Sequence, residues 1–240
     1  MKVDVYFTPG ELTTELPGTV VVIDVLRATS TMVEALANGA RAVFPVPTVD
    51  DAARIAQGIG RDSVLLAGER KGLPIEGFDL GNAPAEFTRE AVGDTSLVMA
   101  TTNGTRAFMA VAERYAAKEG AGILAGALLN LTAVAETTTE AGTDVAIVCA
   151  GREGRFGLDD ALCAGALVRA LEAADPILND AGRAARRLIG RKQDLASALA
   201  DTAAGRYLEG IGHGEDVALC AQLDRTDVVP GFRDRKITAG

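Results

Sequence analysis

Short apolar runs rich in Val, Ile and Leu, each closed by Gly, Asp or Pro, alternate along this chain with stretches whose apolar positions recur every three to four residues. The first kind of pattern reads as buried strand and the second as amphipathic helix. Strands are predicted near 2–7, 19–25, 41–46, 63–68, 95–101, 121–126 and 143–150. Helices are predicted near 29–38, 48–58, 105–118, 128–141, 158–174 and 177–189, with further helix across about 192–221. Phe108, Val111, Ala112 and Tyr115 mark one buried helix face, and Cys163, Ala166, Leu167 and Ala170 another. Strict alternation of strand and helix predicts an α/β fold, a layered αβα arrangement on a largely parallel or mixed sheet. The expected organisation is one unit over 1–240, with a weak boundary at Ala91–Ser96 between two lobes that share a cleft. A long loop from Gly68 to Pro84 and a helical tail after about 175 break the alternation.

Charge narrows the partners. The 240 residues carry 24 Lys+Arg against 33 Asp+Glu, a formal net charge of −9, and the basic residues form no run. Such a surface repels nucleic acid and anionic lipid. The N-terminus "MKVDVYF" begins as a strand and lacks the features of a signal peptide. "AGILAGALLNLTAVA" is shorter than the ~20 residues of a membrane span and contains Asn130. A cytoplasmic protein without membrane contact is therefore expected, with a homo-oligomer left open. Cys149, Cys163 and Cys220 are odd in number and widely spaced, which fits a reducing environment and neither a disulfide framework nor a four-cysteine zinc site.

Ligands of open α/β sheets lie beyond the carboxyl ends of the strands, and four predicted strand ends here carry unusual polar residues. In "VVVIDVLRATST" the strand is too apolar for Asp24 to lack a partner or a cation. Arg27 is an available partner, and Thr31 with Glu34 fits a capping box, which places Thr29, Ser30 and Thr31 at a helix start that attracts anions. "GERKGLPIEGFDLGNAP" sets Glu69 and Arg70 after a strand, then spends glycines reaching Asp79 and Asn82, the composition of a loop shaped around something. Pro84 and Glu86 mark a new helix there. "TTNGTRA" delivers Thr101, Thr102, Asn103 and Gly104 to a helix opened by Thr105 and Arg106, a plausible oxyanion cradle. "CAGREGRFGLDD" runs from Cys149 through Arg152 and Arg155 to Asp159 and Asp160. Cys149 to Arg155 matches the short C-x5-R spacing of cysteine phosphatases, without the usual preceding histidine, since Val148 stands there. Asp159 and Asp160 serve equally as first-turn acids or as metal ligands.

Pooled, these ends offer carboxylates, guanidinium groups, hydroxyls and amides, whereas the single histidine, His213, reads as a solvated turn residue. Oxygen ligands without clustered His or Cys suit Mg2+. Carboxylates holding Mg2+ beside arginines and helix N-termini describe phosphoryl transfer on a small anionic organophosphate.

The four motifs, in this order and spacing from about Val21 to Asp160, resemble those of the 2-phosphosulfolactate phosphatases, the ComB family, with weaker echoes in "YLEGIGHGEDVALC" and "VVPGF". The resemblance implies the ComB-type α/β fold and a Mg2+-dependent phosphatase that converts 2-phospho-3-sulfolactate to 3-sulfolactate and phosphate, a step of coenzyme M biosynthesis. With the strand-end residues, the expected mechanism has Mg2+ held by Asp24 and one or more of Glu69, Asp79, Asp159 and Asp160, and phosphate gripped by Arg27 and Arg106. Arg70 or Arg152 takes the sulfonate or carboxylate. Thr29, Ser30, Thr31, Asn82, Thr101, Thr102, Asn103 and Gly104 complete the cradle. The favoured attacking group is a water made acidic by the metal, with an aspartyl-phosphate route through Asp24 as the other. Two departures stand out: Ala83 replaces the serine of Gly-Asn-Ser-Pro, and Asp159 stands where glutamate is expected. The rival readings are a phosphatase of another small phospho-hydroxyacid, a cysteine-nucleophile phosphatase through Cys149, a non-catalytic phosphate-binding module, and an α/β scaffold whose polar loops form an oligomer interface.

Overall fold

The computed structural model describes residues 1–116, 119–190 and 194–239. In chain order these carry the strands β1 (Lys2–Tyr6), β2 (Thr19–Ile23), β3 (Ala42–Val46), β4 (Val64–Arg70), β5 (Leu73–Pro74), β6 (Ser96–Ala100), β7 (Gly122–Gly126), β8 (Val145–Cys149), β9 (Ile177–Leu178), β10 (Pro230–Arg233) and β11 (Lys236–Ala239). The helices are α1 (Ala28–Ala37), α2 (Val49–Ile59), α3 (Arg89–Val92), α4 (Gly104–Ala112), α5 (Leu131–Ala141), α6 (Leu158–Ala170), α7 (Asp180–Leu188), α8 (Leu195–Ala200), α9 (Ala203–Gly210) and α10 (Gly214–Cys220). Every predicted long strand is present. The predicted helix ends at 117–118 and 192–193 lie outside the described residues.

Local chemistry explains most boundaries. β2 is a run of β-branched residues buried along its whole length, the mark of a strand covered on both faces. α2 starts where the Thr48 side chain accepts from the Asp51 amide, and stops at Gly60 with φ +107°. The capping box expected at Thr31 and Glu34 does not form. α1 begins earlier, Thr31 donates to the Asn82 carbonyl, and Glu34 pairs with Arg225 at 3.1 Å. Pro84 opens a single 3-10 turn, Pro84–Glu86, rather than a long helix; Ala83 before it offers no side-chain cap.

The strands form one mixed sheet in the order β5-β4-β6-β3-β11-β10-β7-β2-β8-β1-β9. Two parallel blocks, β4-β6-β3 and β7-β2-β8-β1-β9, are joined by the antiparallel hairpin β10–β11 from the far end of the chain. Its two turn residues, Asp234 and Arg235, both have positive φ (51° and 62°), the primed geometry that matches strand twist. The hairpin escaped the sequence reading because Pro230 and Arg235 are poor strand and turn signals.

Helices cover both faces, as the layered αβα expectation requires. On one side α5, α6 and α7 lie over the larger block, in a core that includes Val21, Ile23, Ile147, Leu167 and Leu171. On the other, α1 and α4 pack into a core shared by both blocks, from Val20, Met32 and Phe108 to Leu97 and Met99. Residues that follow the carboxyl ends of β2 and β8, in one block, and of β4 and β6, in the other, come together on one side of the molecule. No helix among the described residues is long and apolar enough to cross a membrane.

Candidate active site

Where those ends meet lies a cavity of about 300 Å³, the size of a small-ligand pocket. Asp24 enters it after β2, Glu69 from the end of β4, Thr102 and Asn103 from the turn into α4, and Gly151, Arg152 and Glu153 from the loop after β8. Asp159 and Asp160 add the first turn of α6, while Ala204, Tyr207 and Leu208 of α9 close one side. Asn103 ties two of these loops together by accepting from the Glu153 amide at 3.0 Å.

The carboxylates have different duties. Asp160 accepts from the Val25 and Gly151 amides, each at 2.9 Å, and so latches the β2 loop to the β8 loop. Glu69 accepts from the Gly72 and Thr102 amides, each at 2.7 Å, bracing the other block's loops in the same way. Asp24 lies between two helix starts and receives the amides of Ala28 and Gly104. Burial, with the Asp159 charge next in importance, still pushes its carboxyl up to about 7. Burial likewise lifts Asp159 to about 6. Asp160 is raised well above the ordinary range by burial, then by Asp159 and Asp24. Burial and mutual repulsion thus make all three neighbouring acids resist ionisation.

Asp79 does not join them. Its carboxylate takes both oxygens to Arg61 Nη2 at 2.9 Å and accepts the Leu66 amide at 2.7 Å, which fastens the loop to β4 outside the cavity. Arg61 and the Leu66 amide hold its carboxyl below the usual range despite partial burial.

Among the cations, Arg27 is 3% exposed and lines the cavity. It pairs with Asp216 of α10 at 2.6 Å rather than with Asp24, and donates to the Gly72 carbonyl at 2.7 Å. His213 is no free turn residue: it precedes α10, with Nδ1 3.0 Å from the same Asp216 carboxylate. Arg152 lines the cavity, with its guanidinium 4.8 Å from the centre of the Tyr207 ring. Arg70 turns to the Glu69 and Pro47 carbonyls, and Arg106 is exposed on α4; neither reaches the cavity.

The hydroxyl run of the first motif is structural. Thr29 donates to the Asp24 carbonyl, Ser30 to that of Val25 and Thr31 to that of Asn82, all fully buried. Thr101 caps α4 by accepting the Thr105 amide. Gly104 is there for packing, since a Cβ would meet Ala28 Cβ at 2.6 Å and Asp24 Oδ2 at 2.8 Å. Asn82 and Thr102 do line the cavity, and Asn82 Oδ1 and Thr102 Oγ1 are buried without a hydrogen-bond partner. Such orphaned oxygens call for an explanation, and a ligand is one. Cys149, in contrast, is 0% exposed and off the cavity, and burial raises its thiol well above the ordinary range, the opposite of a reactive thiolate.

The donor set is hard oxygen: Asp24, Asp159, Asn82 Oδ1 and Thr102 Oγ1. Among the described residues no three His, Cys, Asp or Glu side chains converge closely enough to cage an ion by themselves. Two carboxylates with two neutral oxygens are the hard donors that Mg2+ accepts, waters and substrate phosphate oxygens commonly completing its shell.

Sequence reading passed over Lys71, Glu153, Tyr207, Leu208 and Asp216. Only the echo "YLEGIGHGEDVALC" touched the last three, and nothing in its spacing assigns them to a site.

A family model described as 2-phosphosulpholactate phosphatase matches residues 6–235. The chain is 37% identical over 241 residues to a probable 2-phosphosulfolactate phosphatase of Clostridium novyi (strain NT), covering 99% of this chain and 100% of the relative. Proteins of the same description from Caldanaerobacter subterraneus subsp. tengcongensis and Thermotoga petrophila are each 40% identical, over 217 and 213 residues. These alignments cover 90% and 88% of this chain, and 88% of each relative.

Proposed function

The chain belongs to the 2-phosphosulpholactate phosphatase family, and from that premise we propose that its cavity hydrolyses 2-phospho-3-sulfolactate to 3-sulfolactate and inorganic phosphate with Mg2+, the reaction that coenzyme M synthesis requires. A phosphoric monoester hydrolase must offset charge on the phosphoryl oxygens and hold the reacting groups in line. One observation carries the reading. A single cavity of about 300 Å³ combines buried carboxylates, Asp24 and Asp159, with cationic Arg27, Lys71 and Arg152.

Asp24 and Asp159 would hold the cation, with Asn82 Oδ1 and Thr102 Oγ1 as neutral oxygens. When bound, Mg2+ supplies charge neutralisation at the phosphoryl group and acidifies water. The remaining work falls to the chain. The amides that open α1 and α4 fix the Asp24 carboxylate. Arg27, oriented by Asp216 and the Gly72 carbonyl, sets a positive charge against the phosphate. Arg152 and Lys71 face the sulfonate or carboxylate, for which a planar guanidinium is well shaped. Asp160 and Glu69 hold the four loops in register. Because Asp24 retains its proton up to about pH 7 without a cation, cation loading releases a proton and strengthens as pH rises.

Phosphate release from phosphosulfolactate and from a panel of other phosphomonoesters, each with Mg2+ and with EDTA, tests the reading. Turnover is expected with Mg2+ and fastest for phosphosulfolactate. No Mg2+-dependent release from any ester refutes the phosphatase assignment of this cavity, and equal rates in EDTA refute the cation's part in it.

A further inference from the structure

The cationic side of the cavity is held by α9 and α10, far along the chain from the strand ends. Tyr207 of α9 donates its hydroxyl to the Lys71 carbonyl at 2.8 Å, and its ring lies 4.8 Å from the Arg152 guanidinium. Arg152 in turn donates to the Ala203 carbonyl at the start of the same helix, at 3.0 Å. One side chain thus holds the Lys71–Gly72 turn of one sheet block and the β8 loop of the other. Its hydroxyl proton is already committed to the Lys71 carbonyl. What it fixes is the position of the Arg152 guanidinium and of the backbone turn that carries Lys71, on the side of the cavity bounded by α9.

We propose that Tyr207 is a specificity-determining positioning residue: it sets Arg152 and the Lys71 turn as the receptor for a second anionic group, so the cavity selects small phosphomonoesters that carry a carboxylate or sulfonate. The inference rests on the phosphatase reading and extends it to substrate choice. A guanidinium held over an aromatic face loses little freedom on binding an oxyanion, and cation–π contact is worth a factor of roughly 2 to 30, larger when water is excluded. A phosphomonoester without a second anionic group gains nothing from this arrangement.

The test compares two esters of nearly equal size, phosphoglycolate, which bears a carboxylate, and ethyl phosphate, which does not. Steady-state kinetics with Mg2+ are measured for the wild type, Tyr207→Leu and Tyr207→Phe. Tyr207 is 37% exposed, so both variants are expected to fold, and their melting curves check this. The wild type favours phosphoglycolate in kcat/KM. In Tyr207→Leu that preference falls by about five-fold or more, through KM rather than kcat. Tyr207→Phe keeps the ring under Arg152 and retains most of the preference. Equal losses on both esters in Tyr207→Leu, or an unchanged preference, overturn the proposal alone. Phosphosulfolactate is run beside them: its hydrolysis without that of phosphoglycolate overturns the proposed substrate choice alone, and hydrolysis of none of the three by the wild type overturns the phosphatase reading, and this proposal with it.

Discussion

Replacing Asp24 by asparagine should make the cation-free protein more stable while destroying its activity. The sign follows from the carboxyl's titration. Asp24 moves from its ordinary 3.8 to about 7 in the folded state, so the native protein binds this proton more tightly than the unfolded chain does. Its stabilising effect is complete below about pH 4 and is lost as pH rises through 7. About three units at 1.36 kcal/mol each set an upper bound of about 4 kcal/mol at pH 8. Asparagine removes the charge, can still accept the Ala28 amide, and relieves Asp160, whose carboxyl the Asp24 charge helps to raise. For a chain of this length, 2–4 °C per kcal/mol converts a partial recovery into a rise of roughly 5–10 °C. Differential scanning calorimetry in EDTA reads it directly. The expected result is a higher melting temperature for Asp24→Asn at pH 8, with the difference shrinking toward zero at pH 4.5. Mg2+ at pH 8 should raise the wild type and leave the variant nearly unmoved. A lower melting temperature for the variant at pH 8, or the same gain at both pH values, refutes the argument that carboxylate crowding is relieved by a cation.

Three further outcomes are expected. Cys149→Ser buries a hydroxyl in a fully enclosed strand end and should cost about 1–3 kcal/mol in urea unfolding, yet phosphate release per folded molecule should stay within about threefold; a thousand-fold fall would restore the cysteine nucleophile. Asp216→Ala leaves the Arg27 guanidinium buried beside a lost partner 2.6 Å away, so equilibrium denaturation should register a loss of about 3–5 kcal/mol, against which an unaltered midpoint would count. Arg106→Ala, on an exposed position outside the cavity, should change kcat/KM for phosphosulfolactate by less than about twofold, whereas Arg152→Ala should lower it by at least about tenfold; the reverse ranking would return the anion-binding role to Arg106.

The chain's local chemistry determined a great deal by itself. Strand and helix periods are set by neighbours one to four residues apart, so β1–β4, β6–β8 and the helices between them could be placed from pattern alone. The carboxyl ends of those strands are equally local, which is why Asp24, Glu69, Asn82, Thr102, Asn103, Arg152, Asp159 and Asp160 were legible as candidates and do line one cavity. Proximity in sequence was also what misled. Arg27 is three residues from Asp24, yet its partner is Asp216, 189 residues away. Thr31 satisfies Asn82, not a capping box. Asp79, in the same glycine-rich loop as Asn82, is taken by Arg61. Only the tertiary structure decided these pairings, because a buried polar group takes whichever partner the packing brings within about 3 Å. That packing depends on a hairpin from late in the chain inserted between two parallel blocks, and on a helix whose tyrosine meets loops more than fifty residues away in sequence. The strand ends were written in the local pattern; which oxygens face a ligand and which are consumed by the fold was settled by distance in space.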